Sequence, residues 1–239
     1  MHSALTSTVD SPRSTKDSAS IACDHGPSWP LIVLLGATAG LVVMNIYYNQ
    51  PILNAIAGSL SIRSSAVAWV STATQLGYAA GLLFVLPIGD GVDRKGLIAF
   101  TTLLSSGVLI AVPFSTNLPV LLLSSFAVGA TSVTPQLVVP YAAGLAAGPR
   151  RGKVVGFVMS GLLIGILLSR TVSGFIASRL SWHTVFWLAA GVMLLLSGIL
   201  WITLPSQPAR APTSYGRLLS SLPRLSLLLP RCVSFFVIG

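Results

Sequence analysis

The chain has 239 residues, 53% of them hydrophobic and only 8% charged, and its mean hydropathy is +0.84. Soluble domains carry roughly a quarter charged residues, so this composition excludes an ordinary water-facing surface and requires one that faces lipid. Fourteen Lys and Arg stand against five acids, Asp10, Asp17, Asp24, Asp90 and Asp93, for a net charge of +9; the cations are scattered between apolar runs, which reads as topology signalling and not as a nucleic-acid patch.

Residues 1–28 are rich in Ser, Thr, Asp and Pro, show no apolar periodicity, and read as a disordered cytoplasmic tail. They lack the short apolar core of a secretory signal. A transmembrane domain is expected over residues 29–204. Within it six runs approach the roughly 20 residues that a helix needs to cross about 30 Å of hydrocarbon. They lie near 30–51, 66–88, 97–115, 118–140, 153–177 and 184–204. The fold class is therefore an all-α membrane protein with six spans, because lipid offers no partner for open backbone groups and no alternating barrel pattern is present. Pro113, Asn117 and Pro119 supply the turn that separates the third run from the fourth.

Orientation follows from Lys and Arg. With the N-terminus inside, Arg13, Lys16, Arg94, Lys95, Arg150, Arg151, Lys153, Arg210, Arg217, Arg224 and Arg231 are cytoplasmic, whereas Arg63 and Arg179 alone fall in the outer loops. That asymmetry places both ends inside a plasma membrane, the inner membrane in a bacterium. Trp29, Trp182, Trp187 and Trp201 stand near expected membrane interfaces, as anchors or as packing residues. Gly77 and Gly81 are spaced for close helix packing, as are Gly161 and Gly165. Beyond the sixth run, residues 205–239 carry five prolines among basic and Ser residues. They read as a cytoplasmic linker and the cut-off start of a second half, too broken for a seventh span.

The segment between the second and third runs is Gly89-Asp90-Gly91-Val92-Asp93-Arg94-Lys95-Gly96. Gly89 and Gly96 suit close approach to neighbouring helix ends, and Asp93 can pair with a cation or accept from a helix N-terminus. The segment resembles the G-x-x-x-D-[RK]-x-G signature of the major facilitator superfamily. With six spans and a basic fourth-to-fifth loop, residues 30–220 resemble the N-terminal six-helix half of such transporters, of the drug-exporter and sugar-efflux kind. The resemblance implies a gating role for Gly89, Asp93, Arg94 and Gly96, a 3+3 inverted repeat, and a central cavity lined by the first and fourth helices. A solvated turn that only sets topology is the plainer alternative for the loop. The fifth run keeps the glycine register of the family's antiporters at Gly156, Gly165 and Gly174, but places Ser169-Arg170 where Gly-Pro stands and Ser173 where a glycine stands.

Arg170 is the most informative residue, since an arginine at the centre of a membrane helix costs about 2.5–3.5 kcal/mol on insertion scales. It must face a cavity or partner, or snorkel to the outer interface. No Asp or Glu lies in any span, so its countercharge is not a membrane carboxylate and proton coupling through one is excluded within these residues. The remaining cavity candidates are Asn45 and Tyr48 at the expected outer end of the first span, Gln75 on the second and Gln136 on the fourth, each equally explicable as an interhelical hydrogen-bonding residue. Gly174-xxx-Ser178-Arg179 echoes Gly89-xxx-Asp93-Arg94, a trace of internal duplication. Trp182-His183 resembles a family G-W-R pattern with His in place of Arg.

No nucleotide loop, metal-ligand cluster or nucleophile constellation is present, and Cys23 and Cys232 are too far apart for a disulfide framework. The chain reads as no enzyme, with no cofactor and no metal. The expected partners are membrane lipid, a small-molecule substrate and a second six-helix half or a homodimer. The expected function is alternating-access transport of a small molecule; the alternatives are a chain that inserts without transporting and a permease-type subunit.

Overall fold

The computed structural model describes residues 28–146 and 150–206, whose regular structure is entirely helical. Of the expected tail and linker, only Ser28, Pro205 and Ser206 are described; the rest lies outside these residues. Among the described residues, six helical spans are long and apolar enough to cross a membrane.

The first span runs from Trp29 to Leu60 and is broken in the middle. Helix α1 (Trp29–Tyr47) gives way to a 3₁₀ turn (Gln50–Ile52) and then α2 (Leu53–Leu60). Pro51 sits near the start of the turn, where a missing N–H costs no intrahelical bond. The polar run Asn45–Pro51 was expected at the outer end of this span. It lies inside it instead, because the helix restarts beyond the proline for two further turns. Ser61, at φ 53°, closes α2 in the left-handed region.

A short helix α3 (Ser64–Val67) leads into α4 (Trp69–Gly91), the second span. The third comprises α5 (Arg94–Ala111) and a 3₁₀ turn (Val112–Phe114). Asn117 caps the next helix, accepting from Val120 N at 3.1 Å, with Pro119 in its first turn. The fourth span mirrors the first: α6 (Leu118–Thr131) breaks at Ser132–Val133 and resumes as α7 (Thr134–Leu145), again with a proline, Pro135, in the restarting turn. The fifth and sixth spans are the unbroken α8 (Arg150–Arg179) and α9 (Trp182–Thr203).

The dominant pairings are α1 with α8, α4 with α6, and α5 with α9. In span numbers these are one with five, two with four, and three with six. Exchanging spans one, two and three for four, five and six leaves this set unchanged. Spans three apart run in opposite directions, so the architecture is an inverted 3+3 repeat.

Two of the pairings are glycine seams. A Cβ at Gly77 would fall 1.9 Å from the Phe126 carbonyl oxygen, and one at Gly129 would fall 2.0 Å from that of Thr74. In the other seam a Cβ at Gly161 would fall 2.4 Å from the Gly36 carbonyl oxygen, and one at Gly165 would fall 2.3 Å from that of Gly40. Backbone meets backbone at both crossings. This is how helices gain dispersion contact where surrounding lipid is as apolar as they are.

The third pairing uses hydroxyls. Ser106 donates to Ala190 O at 2.8 Å and Ser197 to Ala99 O at 2.9 Å, tying α5 to α9 in both directions. Ser105 donates to Thr131 O at 2.8 Å, next to the break in span four. Interhelical bonds of this kind contribute about 0.6 kcal/mol each in bilayers. Ser106→Ala with Ser197→Ala should therefore lower the unfolding free energy in mixed micelles by about 1–2 kcal/mol, near the sum of two such bonds, leaving helical content by circular dichroism unchanged.

Candidate functional site

The helix breaks in spans one and four each present a glutamine. Gln50 opens the 3₁₀ turn of span one, and Gln136 lies in the first turn of α7. They stand 86 positions apart in the chain, close to the 85 that separate Gly89 from Gly174. Each reaches to the span its own helix packs against. Gln136 Nε2 donates to Tyr78 Oη at 3.0 Å, joining spans four and two. Arg170 Nη2 donates to Gln50 Oε1 at 3.0 Å, joining spans five and one. The two pairs are thus related by the inverted repeat, with a phenol on one side and a guanidinium on the other.

Arg170 is exposed on α8, nine residues before its C-terminal end. At 1.5 Å per residue that is about 14 Å. Its partner is a neutral amide oxygen, so its charge is held in place without being cancelled. Gln136 and Gln75 are also exposed, and Tyr78 is half-buried one turn from Gln75. Exposed or half-buried polar groups therefore occur on spans two, four and five.

The other two cavity candidates sit elsewhere. Asn45 and Tyr48 are only 2% and 7% exposed and belong to the packed interior of span one. Asn49, one turn beyond Asn45, donates through Nδ2 to Thr74 Oγ1 at 2.9 Å, linking spans one and two. Sequence pattern alone could not separate these residues from Gln50, because the break at Pro51 turns the helix face. Gln50 and Tyr78 are the members that the sequence reading did not single out as site residues. Their partners lie 120 and 58 positions away; Pro51, next to Gln50, is a signal that could have found the first, and Tyr78 has no such local mark.

The loop signature is mostly helix. Gly89, Asp90 and Gly91 form the last turn of α4, leaving Val92 and Asp93 as the connection. Asp93 caps α5, accepting from Lys95 N at 3.1 Å, which satisfies one of the orphan donors at a helix start. Gly89 sits in close contact, since a Cβ there would meet Leu137 Cδ2 at 3.0 Å and Leu97 Cδ2 at 3.1 Å, and these leucine side chains would have to shift by a few tenths of an ångström. A Cβ at Gly96 would meet nothing within 4 Å, so the close approach expected there is absent. Gly89, Arg94 and Gln136 line one cavity of about 250 Å³ with Leu86, Pro87 and Pro140. The loop residues and a polar-face residue, separate in the sequence, therefore share one pocket. Among the described residues no group of three His, Cys, Asp or Glu could hold a metal ion.

A family model described as Major Facilitator Superfamily matches residues 35–239. The chain belongs to the major facilitator superfamily. Among curated relatives, the Uncharacterized transporter YgaY of Escherichia coli O157:H7 is 45% identical over 199 residues, covering 83% of this chain and 50% of the relative. The Probable transporter SCO4007 of Streptomyces coelicolor is 35% identical over 206 residues, covering 83% and 47%. A Probable sugar efflux transporter of Helicobacter pylori is 28% identical over 168 residues, covering 66% and 41%. This chain spans about half the length of the curated relatives it matches.

Solved structures agree on the fold. A bacterial homologue of the human lysosomal transporter Spinster, inward-facing and unoccupied, superposes with a TM-score of 0.64 at 16% identity, covering 80% of this chain and 47% of that one. The human organic anion transporter MFSD10 gives 0.55 at 16% identity, covering 77% and 49%. The family likeness found in the loop signature and span count is confirmed by the family model and the curated relatives.

The capping role of Asp93 has a measurable size. Asp93→Ala should destabilise the folded chain by about 1 kcal/mol, whereas Asp93→Asn, which keeps the side-chain acceptor, should cost a few tenths. Unfolding of both variants in the same detergent checks the difference.

Proposed function

We propose that this chain forms the N-terminal half of a secondary transporter that moves a small molecule by alternating access, with the uncovered face of spans two, four and five turned toward the substrate path. The observation that carries this reading is Arg170: exposed, inside a membrane span, and bonded through its side chain to a neutral amide among the described residues. A fixed positive charge within the span is stable there if the face it occupies is wet, and it favours anionic solutes over cations. Gln136 and Tyr78 supply donors and acceptors that suit a polar solute. Gln75 extends the same face. Asn45 and Tyr48, buried in span one, act on this reading by holding the break in shape and not by touching substrate. The Gly89–Asp93–Arg94–Gly96 segment is the gating loop, and its shared pocket with Gln136 is the physical link between gate and solute path. Export is the favoured direction, from the sugar efflux relative of Helicobacter pylori.

A homodimer, or a separate six-helix half, would complete the path. The second reading is a chain that inserts but carries nothing. The cytoplasmic placement of both termini in the plasma membrane rests on the Lys and Arg asymmetry. It predicts that Lys95→Cys and Arg151→Cys in intact cells resist an impermeant maleimide while Arg63→Cys and Arg179→Cys react; labelling of the first pair from outside would reverse the topology.

Transport itself is testable in proteoliposomes loaded with an aromatic carboxylate, a neutral sugar or a quaternary ammonium. Saturable movement of the carboxylate should fall about 10–100-fold in Arg170→Ala, the loss of one charge-assisted hydrogen bond of about 1.5–3 kcal/mol. Arg179→Ala, outside the face, should transport as the parent does. Equal rates for Arg170→Ala and the parent would remove the anion path. No movement of any probe would favour the non-transporting reading.

A further inference from the structure

The inner end of the seam between spans one and five is open and basic. A cavity of about 390 Å³ there is lined by Trp29, Ile32, Arg150, Lys153, Val154 and Phe157. Among the described residues its lining holds two cations and no carboxylate. Trp29 is 64% exposed and packs its ring against Phe157 at 5.1 Å, so the mouth has an aromatic wall at the depth where indole rings anchor in headgroups. Phe157 also lines a second cavity, of about 360 Å³, that continues along the same seam.

This second cavity is a groove made by the seam itself. Gly36, Gly40, Gly161 and Gly165 bring the two backbones into contact and form its floor. Val33 and Leu41 on one side and Ile164 and Leu168 on the other form its walls. From Phe157 to Leu168 it covers eleven residues of α8, about 17 Å at 1.5 Å per residue. One leaflet of the hydrocarbon core is about 15 Å deep, half of about 30 Å. The groove therefore has a basic, aromatic mouth at one interface and an apolar channel one leaflet long.

We infer that this composite groove binds one anionic phospholipid, its phosphate held between Arg150 and Lys153 and one acyl chain laid along the glycine floor. Charge complementarity selects the occupant: two cations without a carboxylate attract a net negative headgroup and gain little from a zwitterionic one. The apolar channel, continuous with the mouth through Phe157, distinguishes a lipid from a free phosphate. Arg151, the neighbouring cation, does not line the cavity. Attraction by this site is therefore separable from attraction by the loop's overall charge. The inference stands apart from the transport reading, since its readout is lipid retention and needs no substrate.

The test is native mass spectrometry of the full chain in detergent, with dioleoyl phosphatidylglycerol, dioleoyl phosphatidylcholine or inorganic phosphate added. One phosphatidylglycerol should be retained at least tenfold over phosphatidylcholine, and phosphate alone should leave no adduct. Arg150→Gln with Lys153→Gln should reduce that retention at least tenfold, and Arg151→Gln should not. Ala37→Phe, which fills the groove from an exposed position, should also reduce it while the protein stays monodisperse by gel filtration. Equal losses in Arg151→Gln and the double variant would overturn the site in favour of diffuse charge. Equal retention of phosphatidylcholine, a phosphate adduct as strong as the lipid, or a lipid-free dimer that Ala37→Phe disrupts would each overturn it as well.

Discussion

Two crossings in which one helix backbone rests directly on another hold this fold in place. In water, helices assemble because apolar side chains leave solvent, but within lipid that driving force is gone and contact distance decides instead. The carbonyls of Gly36, Gly40, Thr74 and Phe126 lie where a methyl group on the facing helix would have to sit. Everything else is arranged around those contacts. They set spans one with five and two with four as rigid pairs, and the hydroxyl-linked pair of spans three and six joins at the back. The breaks at Pro51 and Pro135 then turn the second half of spans one and four, so that Gln50 and Gln136 reach across to the partner span.

Much of this was legible in the amino-acid order. Six apolar runs and the glycine spacings have one-dimensional signatures, because span length and close packing are local requirements. The Gly77/Gly81 and Gly161/Gly165 pairs named half of each seam. Their facing residues, Gly129 on one side and Gly36 and Gly40 on the other, are the long-range half that spacing cannot supply. The error over Asn45–Pro51 has the same origin. A proline after a polar run reads as an end, but a 3₁₀ turn absorbs it, and the helix resumes at Leu53. Asn45 and Tyr48 are consequently interior residues and Gln50 is the one that emerges.

The polar groups show how the repeat is used unequally. Equivalent glutamines meet Tyr78 in one half and Arg170 in the other, so a symmetric frame carries an asymmetric charge. The seams serve two purposes as well. They fix the pairs, and by excluding side chains from one crossing they leave the channel that runs from Arg150 and Lys153 toward Leu168. The position of Gly89 against Leu137 follows the same logic at the end of span two, where small size admits the neighbouring span beneath the loop.

Backbone contact at the seams is the central claim, and single methyl groups test it most directly. Gly→Ala normally favours a helix by about 0.5–1 kcal/mol, so the sign of the change is diagnostic. Chemical unfolding in detergent of Gly77→Ala, Gly129→Ala, Gly161→Ala and Gly165→Ala should show destabilisation of about 1–3 kcal/mol each. Gly191→Ala and Gly198→Ala, where a Cβ would meet nothing within 4 Å, should be neutral or more stable. Neutral or stabilising changes at all six positions would contradict the account.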